Sequence, residues 1–141
     1  MNVFFKRYAA VFITGSALLV SACLSEPREI PVDLSPAEMI QRAQEASDKN
    51  RYKTAQRYYE TIRERHATNM DLVCMAEYEI AFLYYKRNKY DEAKAGFNAL
   101  LELYNDPDAE LMPQQFKKLA RKVLDRIEEK ENSVPLFGKN W

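Results

Sequence analysis

From about residue 35 onward, apolar and polar positions alternate with a helical period. Tyr90, Ala93, Phe97, Leu100 and Leu103 stand three or four apart, which puts them on one face of a helix. The same order occurs upstream. Asn50, Tyr52, Ala55, Tyr59 and Ile62 each precede Asn88, Tyr90, Ala93, Phe97 and Leu100 by 38 residues. Five matches in one register mark an internal repeat. Small Ala93 lets a neighbouring helix approach, and Phe97 fills the space beside it. Ser35-Pro36-Ala37-Glu38 predicts a helix start, with Ser35 as N-cap, Pro36 at the first helical position and Glu38 closing a capping box. Met39, Ile40, Ala43 and Ala46 then give that first helix its apolar face.

Further helices are predicted over 52–65, 72–87 and 91–104, and a last one from about Pro113 to Lys130. Phe116, Leu119, Ala120, Val123 and Ile127 recur at helical spacing in the last. Asn50 and Asn88 each follow a helix, where a left-handed residue is needed and Asn tolerates it. On the third helix, Val73, Ala76, Ile80, Ala81 and Tyr84 form the stripe expected inside a hairpin. Tyr78, Phe82 and Tyr85 form a second, aromatic stripe at i, i+4 and i+7. That second stripe has two readings: a seat for a peptide or partner helix, or a face packed against the last helix or the tail.

The run from Tyr84 to Leu103, with Tyr90, Ala93 and Phe97, resembles the turn and second helix of a tetratricopeptide repeat. Ile80-Ala81 followed by Tyr84 is similar to that family's first-helix signature, and Leu119-Ala120 with Val123 repeats the spacing. The resemblance covers about residues 35–130 and implies an all-α fold of antiparallel helical hairpins. Two repeats and a C-terminal solvating helix would form a short right-handed solenoid. First helices of this family line a groove, which implies a partner-binding surface of Ile40, Gln44, Tyr78, Phe82, Tyr85, Lys117 and Arg121. Lys117 and Arg121 resemble the family's carboxylate clamp, but Ile40 and Gln44 stand where its first repeat would carry Lys and Asn. By itself the basic run Lys117, Lys118, Arg121, Lys122 and Arg126 reads as a solvated face.

Residues 1–22 have the order of a secretory signal: Lys6 and Arg7, then an apolar run from Tyr8 to Val20 too short to cross a bilayer comfortably. Leu19-Val20-Ser21-Ala22-Cys23 resembles the lipobox of bacterial lipoproteins, which implies cleavage before Cys23 and lipidation of its sulfur. Leu24, in place of an Asp, implies the outer membrane. Residues 23–34, with Pro27 and Pro31 and no periodicity, read as an extended tether. The helical domain is expected over 35–131 and an apolar tail over 132–141, where Val134, Leu136, Phe137 and Trp141 follow a highly charged helix end.

Composition narrows the function. Without residues 1–22, 19 basic residues face 21 acidic ones, so no electrostatic ground exists for binding nucleic acid. Three glycines form no phosphate loop, and the single His66 has no second ligand at metal spacing. Cys74, in an apolar helical stretch, reads as a core residue. With no catalytic constellation, the chain is expected to be a non-enzymatic, cofactor-free adaptor of the cell envelope that binds a protein segment. The competing expectation is an assembly lipoprotein, homo-oligomeric through the aromatic stripe and the tail.

Overall fold

The computed structural model describes residues 29–133. The fold is all-α. Among the described residues five α-helices follow in order: α1 (Pro36–Asp48), α2 (Tyr52–Arg65), α3 (Met70–Lys86), α4 (Tyr90–Glu102) and α5 (Gln114–Ser133). Single 3-10 turns at Leu103–Asn105 and Ala109–Leu111 lead from α4 into α5. α1 pairs with α2 and α3 with α4 as antiparallel hairpins, while α2 packs on α3 and α5 lies against α4 and α3.

Local chemistry sets the boundaries. At α1 the capping box forms on both sides: the Glu38 amide donates to Ser35 Oγ, and the Ser35 amide donates to Glu38 Oε2. That contact, with the Ser35 side chain first, holds the Glu38 carboxyl below its ordinary range. Both hairpin turns end their first helix in the same way. Asn50 and Asn88 each take φ 57°. The Arg51 amide reaches back to the Ala46 carbonyl and Asn50 to Ser47, as Lys89 reaches Tyr84 and Asn88 reaches Tyr85. This is the Schellman arrangement, which satisfies carbonyls that the helix end leaves without partners. The Tyr52 hydroxyl then donates to Asn50 Oδ1 (2.8 Å) and the Tyr90 hydroxyl to Asn88 Oδ1 (2.9 Å). A 38-residue sequence period is thus a 38-residue period of hydrogen bonds.

Burial repeats with it. Ala55 and Ala93, Tyr59 and Phe97, and Ile62 and Leu100 are all essentially inaccessible to solvent. Burying each large side chain among these contributes about 2–3 kcal/mol. Two separate clusters result. Met39, Ala43, Ala46, Ala55, Tyr59 and Ile62 meet Ala76 and Leu83 in one; Cys74, Tyr78, Ala81, Phe97, Leu100, Ala120 and Ile127 belong to the other. α3 serves both. A helix buried on two sides needs apolar residues all round, and this displaces the expected inner stripe. Cys74, Ala76, Tyr78, Ala81 and Leu83 are buried, whereas Val73, Ile80 and Tyr84 are only half-buried.

A glycine lets α4 come close to α3. A Cβ added at Gly96 on α4 would sit 2.8 Å from the Ala81 Cβ on α3, nearer than side chains pack. Upstream of α1 the chain is not a free tether throughout. Ile30 and Leu34 pack on the first cluster, and the Arg65 guanidinium donates to the Ile30 carbonyl (2.7 Å) and the Pro31 carbonyl (2.8 Å). Two apolar side chains and the Arg65 guanidinium together lay this proline-bearing stretch on the helices.

Candidate interaction surface

α3 carries the aromatic stripe on the side that meets α4 and α5. Tyr78 is 9% exposed; its ring stacks on Phe82 at 5.7 Å between centroids and lies 5.5 Å from Phe97 and 6.0 Å from Phe116. Phe82 stacks in turn on Tyr85 (5.5 Å), and Tyr85 meets Tyr90 (6.0 Å). The ladder so formed runs the length of the α3–α5 seam. Phe116 covers one end, and at the other the Lys130 ammonium sits 5.1 Å from the centre of Tyr85 and 5.5 Å from that of Tyr90. The Tyr90 and Tyr85 side chains raise the affinity of Lys130 for its proton.

These contacts enclose Tyr78 between Phe97 of α4 and Phe116 of α5, and place Lys130 of α5 over Tyr85. Tyr78 is therefore not available to a docking segment, in contrast to the expectation from the first-helix resemblance. Phe82 and Tyr85 remain half-buried and present their outer edges. The other expected groove residues are dispersed. Ile40 packs on the first cluster and Gln44 is exposed on α1, while the aromatic stripe belongs to the second cluster. On α5, the Lys117 ammonium lies over the Tyr104 ring at 5.4 Å, and Arg121, one turn further on, is exposed. Lys117 is thus held against its own domain, so a paired clamp is not preassembled.

Burial pushes the Cys74 thiol up, with the Tyr104 side chain acting in the opposite direction, and the raised value favours the protonated thiol. Burial also raises the Glu79 carboxyl, with Lys86 acting in the opposite direction. The Lys86 ammonium donates to Ser47 Oγ (2.8 Å), a polar tie between α3 and α1. His66 ends α2, its amide donating to the Ile62 carbonyl. Among the described residues no group of three His, Cys, Asp or Glu side chains is placed to hold a metal ion. No described helix is long and apolar enough to cross a membrane. Cys23 and the tail from Val134 to Trp141 lie outside the described residues.

The periodicity gave no sign of a cleft of about 720 Å³ where α4 leads into α5. Met70, Leu103, Leu111 and Met112 form its apolar wall, and Glu102, Asp106 and Asp108 its rim. Leu111 is 87% exposed there. The signal in the sequence was the apolar pair Leu111-Met112 standing in an otherwise polar connection.

No family model matches the chain, and no solved structure matches it. Over 108 residues it is 32% identical to an uncharacterized protein of Treponema pallidum (strain Nichols). The match covers 75% of this chain and 43% of the relative, so the chain spans less than half the length of that protein.

Proposed function

We propose that the protein is a membrane-tethered, non-enzymatic adaptor of the bacterial cell envelope, built on tetratricopeptide-like hairpins that hold a segment of another protein. The observation that carries this reading is the repeated turn. Asn50 and Asn88 share one backbone conformation, one set of amide bonds and one tyrosine contact, followed by the same buried Ala, aromatic and aliphatic positions. Stacked hairpins of this kind bury their cores between neighbours and leave the outer helix faces to partners. The sequence from Leu19 to Cys23 supports the tether, through lipid on the Cys23 sulfur. With Tyr78 enclosed, the partner surface reduces to the edges of Phe82 and Tyr85, the exposed Gln44 and the exposed Arg121.

The tether and the adaptor role are tested separately. Labelled palmitate should enter the chain and be lost in Cys23→Ser; an unlabelled wild-type chain removes the membrane anchor from the reading. Crosslinking in intact envelopes from a photoreactive residue at position 121 should give one discrete adduct with another protein. That adduct should weaken in Tyr85→Ala while the helical circular dichroism stays unchanged. Absence of an adduct, or one indifferent to Tyr85→Ala, removes the adaptor reading.

A further inference from the structure

The large hydrophobic side chains exposed among the described residues are Val32, Met70, Leu111 and Leu119. Two of these four line the cleft at the α4–α5 connection. We propose that this cleft receives residues 134–141 of a second copy of the chain, with Leu136 and Phe137 against Leu103, Leu111 and Met112. Lys139 then faces the acidic rim. The inference stands apart from the adaptor reading and does not depend on it.

Reach excludes the cleft of the same copy. The cleft adjoins the start of α5, where Gln114 Nε2 donates to the Ala109 and Met112 carbonyls. The other end of α5 lies beside the opposite end of the α3–α4 hairpin, because Lys94 on the first turns of α4 binds Glu131 at 2.8 Å and Lys130 sits over Tyr85 and Tyr90. A 20-residue helix is about 30 Å long. Leu136 and Phe137 stand only three and four residues past Ser133, so they reach at most roughly 14 Å from it. A second copy has no such restriction.

Charge selects this cleft over the surface nearest the tail. The end of the molecule beside Ser133 carries Arg51, Lys53 and Arg87 around a shallow depression, and these three cations repel Lys139. The apolar cleft carries Glu102, Asp106 and Asp108, all exposed. Their hydrogen bonds are local: Asn105 Nδ2 to Glu102, and the Asp108 amide to Asp106. Leu136-Phe137 followed by Lys139 therefore matches an apolar wall under an acidic rim. Reciprocal exchange of the tails between two copies closes the assembly as a dimer.

The test places a photoreactive benzophenone side chain at position 137 of the full chain in detergent and irradiates a mixture of nitrogen-14 and nitrogen-15 copies. Mixed-isotope peptides joining position 137 to residues 103–112 are expected. Leu111→Glu should reduce that adduct at least about tenfold with unchanged helical content, since Leu111 is a surface residue and a charge in an apolar contact is costly. Lys139→Glu should weaken it and the added pair Asp106→Lys and Asp108→Lys should restore it. Adducts within one copy, to any other surface or protein, or none at all overturn the proposal, as does an adduct that Leu111→Glu leaves intact.

Discussion

Gly96 on α4 faces Ala81 on α3 so closely that a methyl group added to the glycine would meet the alanine Cβ at 2.8 Å. Its Cα lies within 3.3 Å of the same point, so the obstacle includes backbone and not only a side chain that could swing aside. Gly96→Ala gains about 1 kcal/mol in helix propensity but overpacks the seam at a cost of about 1–3 kcal/mol. The expected net result is a loss of up to about 2 kcal/mol in urea unfolding. Ala81→Gly in the same chain should recover part of the overpacking cost. A Gly96→Ala variant more stable than the parent would show that the two helices separate easily.

The turns make a second prediction. At φ 57°, Asn50 and Asn88 occupy a region that disfavours a Cβ by about 1–2 kcal/mol, and alanine lacks the side-chain amide that offsets it. Asn50→Ala and Asn88→Ala should each lose about 1 kcal/mol, while the glycine substitutions should stay within about 0.5 kcal/mol of the parent. Chemical denaturation of the four variants checks this. Equal effects of alanine and glycine would place the role of these residues in the Tyr52 and Tyr90 hydrogen bonds instead.

The pH dependence at Glu79 has a definite sign. Burial raises the carboxyl, so the folded state holds that proton more tightly than the unfolded chain does. The stability this site gives is complete below the ordinary carboxylate range and is lost as pH rises through the raised folded value. Glu79→Gln should therefore melt close to the parent near pH 4 and above it at pH 7 to 8. A parent that is the more stable of the two at pH 8 would mean that the Lys86 attraction outweighs burial.

The Arg65 contacts predict local rather than global loss. Arg65→Ala removes both bonds to the Ile30 and Pro31 carbonyls while leaving the core of α2 in place. Trypsin should cut after Arg28 faster, with the main unfolding transition changed by less than about 1 kcal/mol. Unchanged cleavage would show that Ile30 and Leu34 alone hold the segment.

Hairpin punctuation was legible in the sequence because it is local chemistry. Ser35 with Glu38, and Asn50 and Asn88 before their tyrosines, act within a few residues of themselves, and α2 runs over the predicted residues. The face of α3 was not legible. When a helix is apolar on both sides, a 3.6-residue period no longer singles out one stripe, so Val73 and Ile80 read as inner positions while Cys74 and Leu83 were the more deeply buried. The aromatic stripe was visible, but its covering by Phe116 and Lys130 depends on how α5 packs across the chain. The seating of Ile30 and Leu34 and the cleft around Leu111 come from tertiary neighbours, which no spacing rule records.

α3 joins two hydrophobic clusters that are otherwise separate, and this sets how damage spreads. A cavity cut at Ile62 and one cut at Phe97 would each weaken a different half of the molecule, and the other half would register the change through α3, with Ala76 and Leu83 on one side of the shared rod and Cys74, Tyr78 and Ala81 on the other. Slow amide exchange should therefore persist longest in this middle segment, after protection in the flanking helices has begun to fade.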